Sequence, residues 1–367
     1  MAEFPQRQSL VVQATAFLRS EIEAGVWLEW LPGERALCER LHVSRNTLRA
    51  TLRQLAADGL IRPEQGRGSR VLARSTPSSL VVRKRIIGLL TPEPLERLRP
   101  TQTLWIDELR ALLIEHDCRL QVISNPQCYR SSPGKALEKL LSQHPFGCWI
   151  LMLSTESVQT WFQRQAIPCL IAGSPYTGIN LPFVDLDHRA LCRHAASLLL
   201  RLGHRSIAFL SQRRHRAGDV ESERGFLEGI RSSGRDDIES QVAWHQASVE
   251  NVRAVLRRLM AHHRPPTALL VANPFFYLTV TSYLAQTGLR VPRDIAVMSR
   301  DEDPFLSFLL PKPAHYAIRP HVFAKKLLRP LLDTLEGSAV ASRSVKIMPQ
   351  FLPGDSVGPP AGQMVRG

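Results

Sequence analysis

The chain is 367 residues long and contains no run of about eighteen apolar residues, so no segment reads as a membrane-spanning helix. Residues 1–7 lack the apolar core of an export signal, and a cytoplasmic protein is expected. Lysine is absent before Lys84, which leaves arginine as the only strongly basic residue of the N-terminal region. Aromatic residues are sparse at 7%. Cys38, Cys118, Cys128, Cys148, Cys169 and Cys192 show no paired metal spacing, and several sit in apolar runs such as 147–152, where reduced thiols are buried. His188, His194 and His204 are scattered without zinc spacing, and His262-His263 reads as a solvated pair at a helix end. No nucleophile-elbow serine or phosphate-cradling glycine loop stands out. These absences argue against catalytic chemistry: no catalytic residue, cofactor or metal is expected.

What is present is charge and pattern. The formal net charge is +14 and the pI about 10.1, a balance that favours a polyanionic partner and binding that weakens with salt. The length leaves room for two or three domains. Leu37 and Leu41, a break at His42-Val43, then Leu48, Leu52 and Leu55 predict two short amphipathic helices joined by a tight turn, with Ser44 placed as an N-cap. That is a helix-turn-helix. Off the apolar stripe of the second helix lie Arg45, Asn46, Thr47, Arg49 and Arg53, and recognition helices read bases from their N-terminal turns. Leu60-Ile61 and residues 69–72 flank Gly66-Arg67-Gly68, the pattern of a hairpin with an arginine at its tip.

Residues 9–73 resemble the winged helix-turn-helix of the GntR family of bacterial transcription regulators. The resemblance rests on Leu31-Pro-Gly-Glu-Arg35, Val43-Ser-Arg-Asn-Thr-Leu-Arg49 and Gly66-Arg-Gly68. It implies double-stranded operator DNA as partner, with contacts from Arg35, Ser44, Arg45, Asn46, Thr47, Arg49, Arg53, Gly66, Arg67 and Gly68. Arg45 and Arg49 are expected on base edges; Arg35, Arg53 and Arg67 are expected on phosphates or in the minor groove. A homodimer reading an inverted repeat follows from the symmetry of such operators. Gly33 stands where the family has serine, and the connection from Gly25 to Pro32, with Trp27 and Trp30, is shorter than usual, so the first helix is expected at a changed angle.

Residues 74–83 are turn-rich and read as a linker. Beyond them strand and helix alternate. Strands are predicted at 86–90, 120–123, 148–153, 168–171, 183–187, 206–210, 242–244, 268–271 and 295–298. Helices are predicted at 105–116, 134–143, 158–165, 189–202, 221–232, 249–260 and 276–286. This is an α/β class, two parallel-sheet lobes over 84–358 with a flexible tail at 359–367, and its ligand cleft lies at the strand C-terminal ends. Gly203 and Gly288 fit helix C-caps.

Residues 84–358 are similar to the effector domain of the LacI and GalR family, which has the periplasmic-binding-protein fold. The strings that carry the likeness include Phe183-Val-Asp-Leu-Asp187, Leu202-Gly-His-Arg205, Arg224-Gly-Phe226, Gly288-Leu-Arg-Val-Pro and Asp301-Glu-Asp-Pro304. It implies a sugar or sugar-like effector between the lobes and transcriptional repression. Thr91, Ser154, Asp219, Glu221, Asn273, Phe275, Arg300 and Asp301 are the expected effector residues. Asp301 is expected to accept hydrogen bonds from adjacent hydroxyls or an amine. Two departures bear on the ligand. Ala272-Asn273-Pro274 lacks the family's carboxylate, and Ser222 stands where an effector-clamping arginine is common, arginine being displaced to Arg224. A plain hexose or pentose is therefore disfavoured. No sequence matches the LacI hinge helix at 74–83. The alternative reading is a solute-binding protein of the same two-lobed fold. An aminotransferase-like fusion holding pyridoxal phosphate is disfavoured by the short chain and by lysines in no cofactor-binding setting.

Overall fold

The computed structural model describes residues 10–23, 26–27, 29–41, 43–64, 68–72, 85–213, 216–337 and 344–361. Gly66 and Arg67 of the wing tip, the 74–83 linker and residues 362–367 of the tail lie outside them. The chain divides into two compact units, residues 1–86 with 140–147, and residues 87–139 with 148–367.

In the first unit, helices α1 (Leu10–Glu23), α2 (Glu34–Leu41) and α3 (Arg45–Ala57) precede strands β1 (Ile61–Glu64) and β2 (Gly68–Val71). Of the leucines predicted to face inward, Leu37, Leu48 and Leu55 are buried with Leu18, Ile22, Trp27, Leu31, Ile61 and Val71, while Leu41 and Leu52 pack against this core partly buried. Ser44 caps α3 by accepting from the Thr47 amide at 3.2 Å. β1 and β2 pair antiparallel, Ile61 opposite Val71 and Glu64 opposite Gly68, giving the expected wing. Two described residues of the Trp-bearing connection, Trp27 and Leu31, belong to this core. Trp27 is buried, and the Leu31 and Val71 amides tie this segment to β2 through Ser69 O and Glu29 O, each at 2.9 Å.

The second unit has two six-stranded sheets. The first lobe holds β3 (Ile86–Thr91), β4 (Arg119–Ser124), β5 (Cys148–Met152), β6 (Cys169–Ala172), β7 (Phe183–Leu186) and β13 (Val345–Ile347), in spatial order β13-β7-β6-β5-β3-β4. The second holds β8 (Ser206–Gln212), β9 (Glu239–His245), β10 (Ala268–Val271), β11 (Ala296–Ser299), β12 (Ala314–Ala317) and β14 (Gln350–Leu352), ordered β14-β12-β11-β10-β8-β9. Neighbours such as β3 and β5, or β8 and β10, run parallel, while β14 pairs antiparallel with β12. The central strands are buried along their whole length, which is why β3, β5 and β10 read as continuous apolar runs and not as alternation.

Helices α4 (Pro100–Ile114), α5 (Gly134–Gln143) and α6 (Glu156–Arg164) join first-lobe strands. Helices α7 (His188–Arg201), α8 (Ala217–Arg231), α9 (Val249–Met260) and α10 (Pro274–Gln286) belong to the second. The chain then recrosses. Helix α11 (Pro320–Leu335) follows second-lobe β12, yet Phe323, Leu327 and Leu331 pack in the first-lobe core with Trp105 and Leu109. β13 completes that sheet and β14 returns to the other, so three crossings join the lobes, after β7, β12 and β13.

The quoted sequence strings have structural reasons. Gly203 and Gly288 both take positive φ, 102° and 77°, at helix ends. His204 is buried and bridges Thr267 Oγ1 and the Gly358 carbonyl, each at 2.9 Å, fastening the C-terminal segment beside the start of β8. Gly225 lets α8 lie against α7: a Cβ there would come within 2.1 Å of the Arg189 carbonyl oxygen.

Candidate nucleic-acid interface and effector cleft

The N-terminal turns of α3 present Arg45, Asn46, Arg49 and, one turn on, Arg53 to solvent, and Arg35 is exposed on α2. Ser44 and Thr47 play a double part. Their hydroxyls lie 2.9 Å apart, and the Ser44 oxygen holds the Thr47 amide, so this pair fixes the start of the helix while remaining at its surface. Arg49 Nε lies 3.2 Å from Glu34 Oε2, an ion pair from α2 that orients the guanidinium. Exposed pairs of this kind are worth only about 0–1 kcal/mol, so Arg49 can exchange Glu34 for a phosphate or a guanine edge at small cost. Arg53 donates to the Arg49 carbonyl at 3.3 Å, Arg35 pairs with Glu39 at 3.1 Å, and Gly68 begins β2.

Between the lobes of the second unit lies a cavity of about 240 Å³. Its charged floor is a buried network centred on Arg300, one residue past the end of β11. Arg300 Nε and Nη2 donate to the two oxygens of Asp301 at 3.0 and 3.1 Å, and Nη1 donates to Asp219 Oδ1 at 2.9 Å and Ser222 Oγ at 3.0 Å. From the first lobe, Arg99 Nη1 reaches Asp301 Oδ2 at 3.1 Å, an ion pair across the cleft. Burial opposes the charge on Asp301, but Arg300 and Arg99 outweigh it and hold its carboxyl below the ordinary range. Burial likewise opposes the Arg300 charge, and Asp301 and Asp219 outweigh it in the other direction.

A second cluster faces the same space. Asp185, at the end of β7, accepts from Ser174 Oγ at 2.6 Å and from the Leu186 amide at 2.8 Å, with His188 Nε2 at 3.5 Å. Burial alone would raise the Asp185 carboxyl, yet the His188 charge and these hydrogen bonds bring it below its usual value. His188 Nδ1 is buried without a hydrogen-bond partner among the described residues. Gly218, in the first turn of α8, makes room for this imidazole: a Cβ would lie 3.0 Å from His188 Cδ2. Trp105 and Phe323, ring centroids 5.3 Å apart, supply an aromatic wall.

Of the expected effector residues, Ser154, Asp219, Arg300 and Asp301 line this cavity. The other four lie outside its lining. Thr91 is fully buried and donates to the Glu93 carbonyl at 3.1 Å. Glu221 pairs with Arg224 at 2.8 Å and Lys346 at 3.9 Å. Asn273 caps α10, and Phe275 stacks on Phe305 with centroids 5.6 Å apart. Asp301 Oδ1 accepts from Arg300 and Oδ2 from Arg300 and Arg99, so the hydroxyl or amine donors expected of a ligand would add to these bonds at the lone pair left over. Ser222, on α8, accepts from Arg300, so a guanidinium reaches the cleft from the end of β11 and not from α8. Arg99, Trp105, Asp185, His188 and Phe323 were missed as lining residues. Only Asp185 carried a signal, as the polar residue within the otherwise apolar strand Phe183–Leu186.

Residues 10–71 match the family of bacterial regulatory proteins, gntR family, and residues 181–357 match the periplasmic binding protein-like domain. The chain joins a gntR-family head to a periplasmic binding protein-like domain. It is 24% identical over 202 residues to the HTH-type transcriptional regulator CelR of Thermobifida fusca, covering 54% of this chain and 59% of that protein. The chain therefore spans less than two thirds of that relative's length. It is also 24% identical over 305 residues to the arabinose metabolism transcriptional repressor of Halalkalibacterium halodurans, covering 79% of each. A solved transcriptional regulator CelR–cellobiose complex shares the fold, with a TM-score of 0.66 and 18% identity over 95% of this chain and 100% of that one. No helix among the described residues is long and apolar enough to cross a membrane.

Proposed function

We propose that this gntR-headed chain is a sequence-specific DNA-binding transcription regulator, acting as a cytoplasmic homodimeric repressor, whose operator affinity changes when a small molecule occupies the cleft between its lobes. The observation that carries the reading is the capped α3 helix, with Arg45, Arg49 and Arg53 exposed beside a two-stranded wing, in the same chain as a two-lobed cleft. A solute-binding protein has no use for that head. The carboxylates and guanidiniums of the cleft pair with one another, which supports a binding role in preference to a catalytic one.

Relatives named for cellobiose and arabinose regulation favour a sugar or sugar-like effector. The three guanidinium bonds to Asp301 leave it little capacity to accept from ligand hydroxyls, which, with serine at 222 and no carboxylate at 272–274, disfavours a plain hexose or pentose. Gel shift with DNA from upstream of the gene, in excess competitor, tests the DNA reading; a retarded band is expected, and none would refute it. Isothermal titration against a sugar panel tests the cleft reading. Weak or absent binding of plain sugars is expected, and nanomolar binding of one would overturn the argument from Asp301.

A further inference from the structure

The two histidines that read as a solvated pair have a third partner that the sequence separates from them by more than twenty residues. Glu239 opens β9, and the loop between α9 and β10 brings His262 and His263 beside it. His262 Nδ1 lies 3.1 Å from Glu239 Oε1, and His263 Nε2 lies 4.0 Å from Glu239 Oε2. One ligand atom from each of the three residues falls within 4.8 Å of the others. Ligands about 2.0–2.1 Å from a tetrahedral zinc ion stand about 3.4 Å apart, so small side-chain rotations bring this set to bonding geometry.

We infer that Glu239, His262 and His263 form a divalent-metal site of zinc type, with the remaining coordination position open to water. Two imidazoles and one carboxylate suit a borderline ion such as zinc better than magnesium or calcium, which prefer oxygen. The backbone supports the arrangement: the Glu239 amide donates to the Arg205 carbonyl at 2.8 Å, so the carboxylate is mounted on a paired strand. Arg264 Nε lies 3.7 Å from Glu239 Oε2 and competes with an ion for that oxygen. Its side chain is half exposed and can swing away. The site lies at the N-terminal ends of the second-lobe strands, opposite the end that carries Arg300 and Asp301. It is therefore independent of the effector cleft and of the regulatory reading.

Titration of the full chain with cobalt(II), followed by zinc displacement, tests the site. One cobalt per chain is expected, with ligand-field absorption of a nitrogen and oxygen site and no thiolate charge-transfer band. Glu239→Gln and His262→Ala should each weaken binding by at least about tenfold. Arg264→Ala should tighten it. All three positions are partly or well exposed, so the variants should stay folded, as circular dichroism will show. Absence of saturable binding, binding indifferent to these substitutions, or a thiolate band would each overturn the assignment.

Discussion

Arg300 makes four hydrogen bonds inside the protein, and each fixes a neighbour that the cleft needs. Removing one partner of such a buried set leaves an uncompensated charge, so Asp301→Ala should cost about 3–5 kcal/mol in denaturant unfolding. A loss under about 1 kcal/mol would mean that water already screens the pair. Gly225→Ala should cost about 1–3 kcal/mol or more, because the Arg189 carbonyl stands where the methyl must go and backbone cannot yield as a flexible side chain can. The pH dependence has a definite sign. Burial holds the His204 and His245 imidazoles below their ordinary value, so the unfolded chain binds protons that the fold refuses. Their stabilising contribution is present above the unfolded value of about 6.5 and is lost as pH falls below it. Asp185 and Asp301, held low, contribute above the unfolded carboxylate value of about 3.9 and fail only in stronger acid. Unfolding free energy should therefore fall between about pH 7 and pH 5, and His204→Gln should flatten that first loss.

Helix α3 shows how much an element can declare from sequence. Its cap, its buried Leu48 and Leu55 and its exposed arginines all follow from the 3.6-residue repeat and the serine before it. Ser44→Ala should destabilise the head by about 1 kcal/mol. Arg49→Ala should relax operator preference by about 1–3 kcal/mol in competition binding; unchanged preference would remove Arg49 from the reading set. Helices α5 and α9 and strand β10 likewise begin and end where their patterns do, at Gly134–Gln143, Val249–Met260 and Ala268–Val271. Helix α8 begins at Ala217, four residues before the predicted start, and its first turn carries Gly218 and Asp219 into the cleft lining. After residue 298 the sequence pattern predicts no element. There the strands are three or four residues long, and α11 contains Pro330, which disguises its helical pattern. Arg99 and Phe323 reach the cleft through long-range packing, for which a linear pattern holds no signal. Four expected effector residues lie outside the cavity lining for a related reason: strand-end position identifies who is near a cleft, not who is capped, paired or stacked before facing it.

At the scale of the whole molecule, one chain carries a gntR-family head and a cleft between two lobes, and the proposed function couples them. Coupling of about 1–3 kcal/mol between two such sites suffices for a regulatory switch. The net charge of +14 predicts that the DNA side of this linkage is strongly salt-dependent, with the logarithm of affinity falling by about 0.9 per phosphate contact for each unit of log salt. The most direct test is fluorescence anisotropy of a labelled duplex from upstream of the gene, titrated with the full chain across ionic strengths, in parallel with an Arg45→Ala/Arg49→Ala variant. The account predicts saturable binding that survives competitor DNA, weakens with salt, and loses its sequence preference in the variant. A chain that leaves duplex DNA of every sequence unbound at low ionic strength would contradict it.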